Sequence, residues 1–245
     1  MISAVILTRN EEKNIIDCME SLYFCNEIVI IDDVSTDRTV EIAKKAGAIV
    51  YEHELNNNFS KQRNFGLEKA KNEWILFIDA DERISVDLKN EIKYKILKKG
   101  INGYSIKRSD FFYGKELFHG ETSSISLVRL GKKNHGLWDG AVHEEWKING
   151  KISILDTPLL HYPHPTINEF LLEINFYTDL NAMELFNKGI RATWYDVIIY
   201  PVAKFIHNFI IRAGFQDGVA GMIIAIMMSF HSFLVRAKLL KYNEN

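Results

Sequence analysis

Two aspartates that follow one apolar segment are the side chains with the clearest capacity for chemistry in this sequence. Residues 74–78 are a bulky apolar run, and Asp79 and Asp81 come directly after it. Such a run predicts a strand buried on both faces of a parallel sheet, and ligands bind beyond the carboxyl ends of such strands. In extended backbone both carboxylates point to the same side, which suits Mg²⁺ or Mn²⁺. The alternative is an acidic turn in which Asp81 caps the next helix.

The elements that must position these carboxylates follow from the hydrophobic pattern of the first 80 residues. Strand-like apolar segments alternate there with segments of helical periodicity. The strand-like segments lie at 3–7, 27–31, 48–51 and 74–78. The order βαβαβαβ predicts an α/β fold with a doubly wound, mainly parallel sheet, in which Asn10 and Ser60 are the expected caps of two helices. No Gly-x-Gly-x-x-Gly or Walker-type loop is present, which excludes the dinucleotide-binding and P-loop versions of the sheet.

Other polar residues follow the second strand and open the third helix. Asp32 and Asp33 are not needed as caps, because residues 35–37 supply capping oxygens, and a carboxylate there accepts hydrogen bonds from a ribose or a base. Arg63 lies in a first helical turn, where a cation opposes the helix dipole. A bound diphosphate would explain its position, and a solvated basic helix face is the alternative.

Composition and charge limit the class of protein. The chain has 245 residues and 47% hydrophobic content, enough for one domain with an appendage. Its 30 basic and 32 acidic residues nearly balance, which argues against a nucleic-acid-binding protein. From Lys188 onward there are seven basic and three acidic residues, a net charge of +4 that predicts an anionic partner such as a membrane surface. Cys18 and Cys25 lack zinc-type partners, and we expect no signal peptide, so the predicted location is cytoplasmic.

Four ordered motifs resemble those of family 2 glycosyltransferases, a family with the GT-A fold. They are Leu-Thr-Arg-Asn-Glu-Glu at 7–12, Ile-Asp-Asp-Val-Ser-Thr-Asp-Arg-Thr at 31–39, Arg-Asn-Phe-Gly at 63–66 and Asp-Ala-Asp-Glu at 79–82. Each motif alone is weak, but four in this order are specific. Later segments at 138–145, 160–162 and 214–221 resemble the lipopolysaccharide-core branch, which transfers glucose from UDP-glucose onto the inner-core heptose. One departure is Asp33-Val34, where this branch often has Ser-Gly.

The resemblance implies a role for each matching polar residue in binding a UDP-sugar donor. The residues that would lie beside the nucleotide base or ribose are Thr8, Asn10, Glu11, Asp32 and Asp33. Arg63 would approach the diphosphate, and Asp79 would face the ribose and the metal. Asp81 would bind the Mg²⁺ or Mn²⁺ ion that bridges the two phosphates. His161 is a candidate third metal ligand, with a structural histidine as the alternative.

Residues 138–145 contain three candidates for the catalytic base. An inverting transfer needs a carboxylate or imidazole that takes the acceptor hydroxyl proton on the side opposite the leaving diphosphate. In the resembling family an acidic residue in this part of the chain has that role. We therefore expect Glu144 to be the base and Asp139 to be the second candidate, while His143 orients the carboxylate or touches the phosphates.

The C-terminal region changes in character after a long helix that a capping box opens at 166–169. Residues 194–211 are apolar and aromatic, and 219–235 form a 17-residue apolar stretch, short of the ~20 residues that usually span a bilayer. Interfacial amphipathic helices are one interpretation, and a helical pair that forms a homodimer or covers the core is the other. We predict a GT-A nucleotide-sugar-binding and catalytic domain at 1–165 and a helical region at 166–245.

Together these features predict a metal-dependent, inverting hexosyltransferase that uses a UDP-sugar and acts on a lipid-linked glycan of the lipopolysaccharide or lipooligosaccharide inner core. The expected location is the inner face of the cytoplasmic membrane. Two other classes stay open at this point. One is a sugar nucleotidyltransferase, although its usual Gly-rich phosphate loop is missing, and the other is a non-catalytic, membrane-associated nucleotide-sugar-binding protein.

Overall fold

The computed structural model of the chain describes residues 1–121, 125–141, 143–163 and 166–243. The chain forms two compact units. The first unit comprises Met1–Arg108 and Ser126–His161, and the second comprises Ser109–Ile125 and Tyr162–Asn245. The predicted domain boundary at residue 165 lies outside the described residues, and the division into 1–165 and 166–245 stays a prediction.

The first unit begins with four parallel strands in the order β3-β2-β1-β4. The strands are β1 (Ile2–Thr8), β2 (Glu27–Asp32), β3 (Ile49–Glu52) and β4 (Trp74–Asp79), and the helices between them are α1 (Ile15–Ser21), α2 (Thr39–Lys45) and α3 (Phe59–Lys69). The predicted alternation of strands and helices is therefore confirmed. In the sheet register Thr8 pairs with Asp32 and Leu7 pairs with Asp79, so the polar strand ends lie at one edge of the sheet.

Antiparallel strands complete the sheet beyond β4. The remaining strands and the α-helix up to residue 161 are β5 (Glu82–Arg83), α4 (Val86–Lys95), β6 (Gly103–Phe112), β7 (Lys115–Glu116), β8 (Ser126–Lys132), β9 (Gly136–Asp139), β10 (Glu145–Ile148) and β11 (Ile152–His161). The sheet continues from β4 in the order β8-β6-β11-β5, with β7 paired to β6. β9 and β10 form a separate antiparallel hairpin.

The parallel strands β1, β2 and β4 are buried on both faces because their central residues are mainly apolar, whereas β3 at the sheet edge is partly exposed. Alternate residues belong to two separate cores. One core joins Ala4 and Leu76 to side chains of α1, α2 and α4. The other joins Val5 and Phe77 to Leu67 of α3 and to the β9–β10 hairpin. Since helices cover both faces, the sheet is doubly wound, as predicted.

Both helix caps predicted near the polar strand ends are wrong. α1 begins after Asn14, which makes no side-chain cap. Asn10 lies upstream in the left-handed region with φ 57°, and its side chain bonds to the loop that follows β2. Asn58, and not Ser60, caps α3, because its side-chain oxygen accepts a hydrogen bond from a first-turn N–H at 3.0 Å.

The second unit is mainly helical. Its helices are α5 (Ile167–Asn187), α6 (Asp196–Ile206) and α7 (Gly218–Asn243), with a π-helical turn at His207–Ile211 and a 3₁₀ turn at Gly214–Asp217. Thr166 caps α5 as predicted, since its hydroxyl accepts a hydrogen bond from the Glu169 N–H at 3.1 Å. The core of this unit includes Phe112, Phe170 and Met227. The predicted helical C-terminal region is therefore confirmed.

The tail motif at 214–221 fixes the start of α7. Asp217 is buried, and its carboxylate accepts hydrogen bonds from the N–H groups of His119 at 2.9 Å and Phe118 at 3.3 Å. Its Oδ1 also lies 2.9 Å from Nδ1 of His119. At Gly221 a Cβ atom would lie 1.9 Å from the Gly214 carbonyl oxygen, so only glycine allows the helix to start this close to the preceding turn.

α6 and the segments beside it leave many apolar side chains exposed. No residue of α6 is buried. Trp194 is 71% exposed, Ile198 and Ile199 are each 58% exposed, and Val219 at the start of α7 is 70% exposed. The helical segment Gly214–Tyr242 is long and apolar enough to cross a membrane, a property that core helices of some soluble proteins share. The exposed apolar surface on Trp194, Ile198, Ile199, Ile211 and Val219 is called the apolar face below.

Candidate functional site

The ends of β1 and β2 are joined by a buried carboxylate. The Thr8 hydroxyl donates to Oδ1 of Asp32 at 2.8 Å. The N–H of Ser35 donates to Oδ2 at 2.8 Å, and the Ser35 hydroxyl donates to Oδ1 at 2.6 Å. Asp32 is fully buried, so these donors supply the hydrogen bonds that a desolvated carboxylate needs. Asp32 is not the cap of α2, but its carboxylate holds the turn after β2 through Ser35, and its contact with a base or ribose stays a prediction.

Asn10 and Glu11 tie the loop after β1 to the loop after β2. The Asn10 side-chain oxygen accepts a hydrogen bond from the Thr36 N–H at 2.8 Å, and the Asn10 N–H donates to the Ser35 hydroxyl at 2.9 Å. The Glu11 N–H donates to the Thr39 hydroxyl at 2.7 Å. The motif residues of both loops are therefore held in one hydrogen-bonded network, and the Asn10 side chain lies at its exposed surface.

Asp33 connects the same network to the loop after β3. Its Oδ2 accepts from Nη1 of Arg9 at 3.0 Å, and its Oδ1 accepts from the Leu55 N–H at 2.8 Å. The carboxylate therefore has structural partners on both oxygens. Its predicted place beside the donor nucleotide stays a prediction.

Asp79, at the end of β4, lies between two arginines. Nη2 of Arg63 donates to its Oδ1 at 3.0 Å, and Arg129 donates to its Oδ2. Burial raises the pKa of Asp79, but the two guanidinium groups outweigh burial and hold its pKa well below the ordinary value. The charged form of Asp79 is therefore favoured, both of its oxygens have partners, and its predicted contacts with ribose and metal stay predictions.

Arg129 is a buried residue of this site that sequence reasoning missed. Besides Asp79, it donates to Oε1 of the fully buried Glu82 at 3.2 Å. Burial lowers the pKa of Arg129, but Asp79 and Glu82 outweigh it and raise that pKa above its ordinary value. Burial raises the pKa of Glu82, whose Oε2 accepts a hydrogen bond from the Asp79 N–H at 2.9 Å. The alternation of residues 125–130 predicts a half-exposed strand and gave no signal that this arginine would be internal.

Asp81 is paired with a histidine at the end of another strand. Its Oδ2 lies 3.1 Å from Nε2 of His161, the last residue of β11. Burial raises the pKa of Asp81, but the adjacent His161 outweighs burial and the pKa falls below its ordinary value. β4 ends at Asp79, and Asp81 lies in a turn, so the prediction that extended backbone points both carboxylates to one side is wrong.

The pairing of Asp81 with His161 is the part of the predicted metal site that the structure brings together. Within the described ranges, no three His, Cys, Asp or Glu side chains are placed to hold a metal ion. Asp79 is engaged by arginines, whereas Asp81 and His161 pair with each other, and metal binding by these three residues stays a prediction.

Of the three candidates for the base, Glu144 is the one joined to the strand-end charges. Its Oε1 accepts from Nε of Arg63 at 2.6 Å, so one guanidinium connects it to Asp79. Asp139 is exposed at the end of β9 and accepts a hydrogen bond from the Gly140 N–H at 3.0 Å. His143 is exposed, with φ 57°. The carboxylates of Asp79 and Glu144 therefore share the guanidinium of Arg63, beside a loop whose described residues Asp139 and His143 are exposed.

Comparison with known proteins found a matching family model, relatives in sequence and similar solved structures. Residues 3–141 match the model of the family described as Glycosyl transferase family 2. The lipopolysaccharide core biosynthesis glycosyltransferase LpsC of Rhizobium meliloti is 31% identical, over 97% of this chain and 91% of that protein. The uncharacterized glycosyltransferase RT0209 of Rickettsia typhi is 29% identical, over 97% of this chain and 86% of that protein. Among solved structures, S. aureus TarS 1–349 in complex with UDP is 18% identical with a TM-score of 0.49, over 99% of this chain and 91% of that chain.

Proposed function

The chain belongs to glycosyl transferase family 2, and from this premise we propose that it moves a hexose, glucose from UDP-glucose, onto an inner-core acceptor of lipopolysaccharide or lipooligosaccharide. As a member of that family with the GT-A fold it is a glycosyltransferase. The observation that carries the proposal is the convergence of Asp79 and Glu144 on Arg63 beside the end of β4. The acceptor class is supported by the similarity to the lipopolysaccharide core biosynthesis glycosyltransferase of Rhizobium meliloti.

The donor binds, in this proposal, beyond the carboxyl ends of β1, β2 and β4. Thr8, Asp32 and Asp79 lie at this edge because the strands are parallel and in register. Ligands of doubly wound sheets bind in such a position. Since Thr8 and Asp32 bond to each other, they shape the loops, and the more accessible Asn10, Glu11 and Asp33 meet the nucleotide.

A divalent ion, Mg²⁺ or Mn²⁺, fits this site on the chemistry of its side chains. Asp81 offers a carboxylate that is anionic at neutral pH, and His161 offers an imidazole nitrogen at its side. Mg²⁺ is usually held by one or two carboxylates together with substrate phosphates, so the absence of a third protein ligand among the described residues agrees with it. When bound, such an ion stabilises negative charge on the leaving diphosphate.

Glu144 is the proposed general base. It takes the proton of the acceptor hydroxyl while that oxygen bonds to the anomeric carbon, and the electron pair of the breaking C–O bond leaves with UDP. One carboxylate oxygen of Glu144 is held by Arg63, and the described residues offer no hydrogen bond to the other. Asp139 stays the second candidate, and the exposed His143 orients the carboxylate or touches the phosphates.

The apolar face binds the membrane that carries the acceptor, in the same proposal. It combines exposed aliphatic side chains with an exposed tryptophan, and the chain from Lys188 onward carries a net charge of +4. Interfacial helices with these properties bind anionic bilayers without spanning them. The enzyme then acts at the inner face of the cytoplasmic membrane on a lipid-linked glycan.

The donor and metal assignments are tested together by thermal unfolding. UDP-sugars and GDP-sugars are added to the full chain with and without Mn²⁺. We expect UDP-sugars to raise the Tm, more strongly with Mn²⁺, and we expect Asp81→Ala to lose the Mn²⁺-dependent part. Asp156→Ala, which removes an exposed carboxylate paired with Lys95, is the matched control. A folded Asp81→Ala variant with the full Mn²⁺ effect would contradict the metal assignment, and stabilisation by GDP-sugars alone would contradict the donor.

A further inference from the structure

The guanidinium of Arg63 is enclosed by groups of the first unit. Arg63 is 4% exposed. Its Nε donates to Glu144 at 2.6 Å, its Nη2 donates to Asp79 at 3.0 Å, and the ring of Trp138 lies 4.7 Å from its Cζ. Nη1 is buried without a hydrogen-bond partner among the described residues. Every donor of this side chain is therefore either bonded to a carboxylate or shielded from solvent.

The same helix, α3, fixes the segment that carries Glu144 at two further points. The Asn64 side chain donates to the Trp138 carbonyl oxygen and accepts from the Trp138 N–H, both at 2.9 Å. The Phe59 N–H donates to the Ala141 carbonyl oxygen at 3.0 Å. These bonds hold the backbone on one side of Glu144, whereas its carboxylate is held by Arg63.

The position of Glu144 makes such support necessary. It follows His143, which has φ 57°, and it precedes β10, so no strand pairing fixes it. A general base must lie within hydrogen-bond reach of the proton that it takes, and a displacement of about 1 Å can cost about 10²-fold in rate. A glutamate that lies outside the strand pairing meets that requirement only if another group holds its carboxylate.

We propose that Arg63 is a positioning residue that holds Glu144 for proton transfer and fixes its distance from the strand-end carboxylate Asp79. The planar fork of arginine presents Nε and Nη2 to two carboxylates in a fixed geometry, whereas the ammonium of a lysine is a point charge on a flexible chain. The inference rests on the proposed function, in which Glu144 is the base. It departs from the diphosphate contact that the family resemblance implies for Arg63, because both of its bonded donors already serve Glu144 and Asp79.

A double-mutant cycle between positions 63 and 144 tests this role. Arg63→Lys, Glu144→Gln and the double variant are compared for UDP affinity and for kcat of transfer from UDP-glucose to a deacylated lipooligosaccharide core. We expect Arg63→Lys to lower kcat by about 10²-fold while its Kd for UDP changes by less than about twofold. The double variant should transfer no more slowly than Glu144→Gln, because the two residues act as one unit. Arg38→Lys, at an exposed ion pair with Glu12, is the matched control.

Amide hydrogen exchange supplies a readout that does not depend on turnover. In Arg63→Lys the β9–β10 hairpin should exchange faster, and in Arg38→Lys it should exchange as in the wild type. Two outcomes would overturn the positioning role. One is a double variant whose loss of kcat equals the product of the two single losses. The other is an Arg63→Lys variant whose UDP affinity falls by the same factor as its kcat. If Arg63→Lys does not fold, Glu144→Asp replaces it, and normal transfer by that shortened carboxylate would equally overturn the role. A wild type that transfers no sugar would count against the proposed function alone. Amide hydrogen exchange would then still test whether Arg63 holds the segment that carries Glu144.

Discussion

The strand-end site, at the carboxyl ends of β1, β2 and β4, and the apolar face differ in which side chains are buried and which are exposed. In the first unit, charged side chains are buried and form ion pairs with one another, as Arg129 does with Asp79 and Glu82. In the second unit, apolar groups are exposed, and no residue of α6 is buried. Internal pairing fixes side chains before any ligand arrives, whereas an uncovered apolar surface gains stability only from a partner. The first region is therefore organised by the chain itself, and the second is the region for which we propose an external partner surface.

The largest effect should come from removing the buried cation of the strand-end site. Arg129→Met leaves Asp79 and Glu82 without their shared partner, and breaking a buried pair in this way costs about 3–5 kcal/mol. The free energy of unfolding in urea measures the change. Arg9→Met is the matched control, because its ion pair with Asp33 is 61% exposed at the arginine and is worth about 0–1 kcal/mol. Equal losses of unfolding free energy in Arg129→Met and Arg9→Met would contradict the expected difference between buried and exposed ion pairs.

A smaller effect is expected at the apolar face. The double change Ile198→Asp and Ile199→Asp should weaken binding to anionic vesicles by at least about tenfold, since each buried aliphatic side chain contributes about 1.5–3 kcal/mol. The fold should persist because both residues are 58% exposed. Leu97→Asp is the control, since Leu97 is 77% exposed in the first unit. Co-sedimentation at low and high salt measures the binding, which should fall as salt screens the basic tail.

Other outcomes of the same experiment separate the two interpretations of the C-terminal helices. A wild type that ignores vesicles but loses dimerisation in the double variant would identify the apolar face as a subunit interface. Unchanged vesicle binding in the double variant would contradict the assignment of this face to the membrane.

Periodicity predicted the fold well because burial dictates it. The uninterrupted apolar runs of β1, β2 and β4 allow only a strand covered on both faces, and the structure confirms that arrangement. The second unit was predicted as helical from the Thr166 cap and the apolar run after Gly218. These features depend on residues that are close in sequence, so they can be recognised from the sequence alone.

The partners of individual charges were predicted less well. The carboxylate of Asp32 accepts hydrogen bonds from Thr8 and Ser35. Arg129 donates to Asp79, which lies 50 residues earlier in the sequence. Such contacts depend on strand register between distant segments, which periodicity does not encode. Motif order identified the polar residues that share a site, but it did not show which of them bond to each other and which stay available to a ligand.

The most direct test of the central claim compares wild type and Glu144→Gln for UDP-sugar binding and for transfer in the same preparation. In the proposed function the strand-end site holds the donor and Glu144 supplies the base, so the variant should bind the donor as the wild type does. Its transfer should fall by about 10²-fold or more, the usual contribution of a general base. A folded Glu144→Gln variant that transfers sugar at the wild-type rate would contradict the account and would make Asp139 the next base to test.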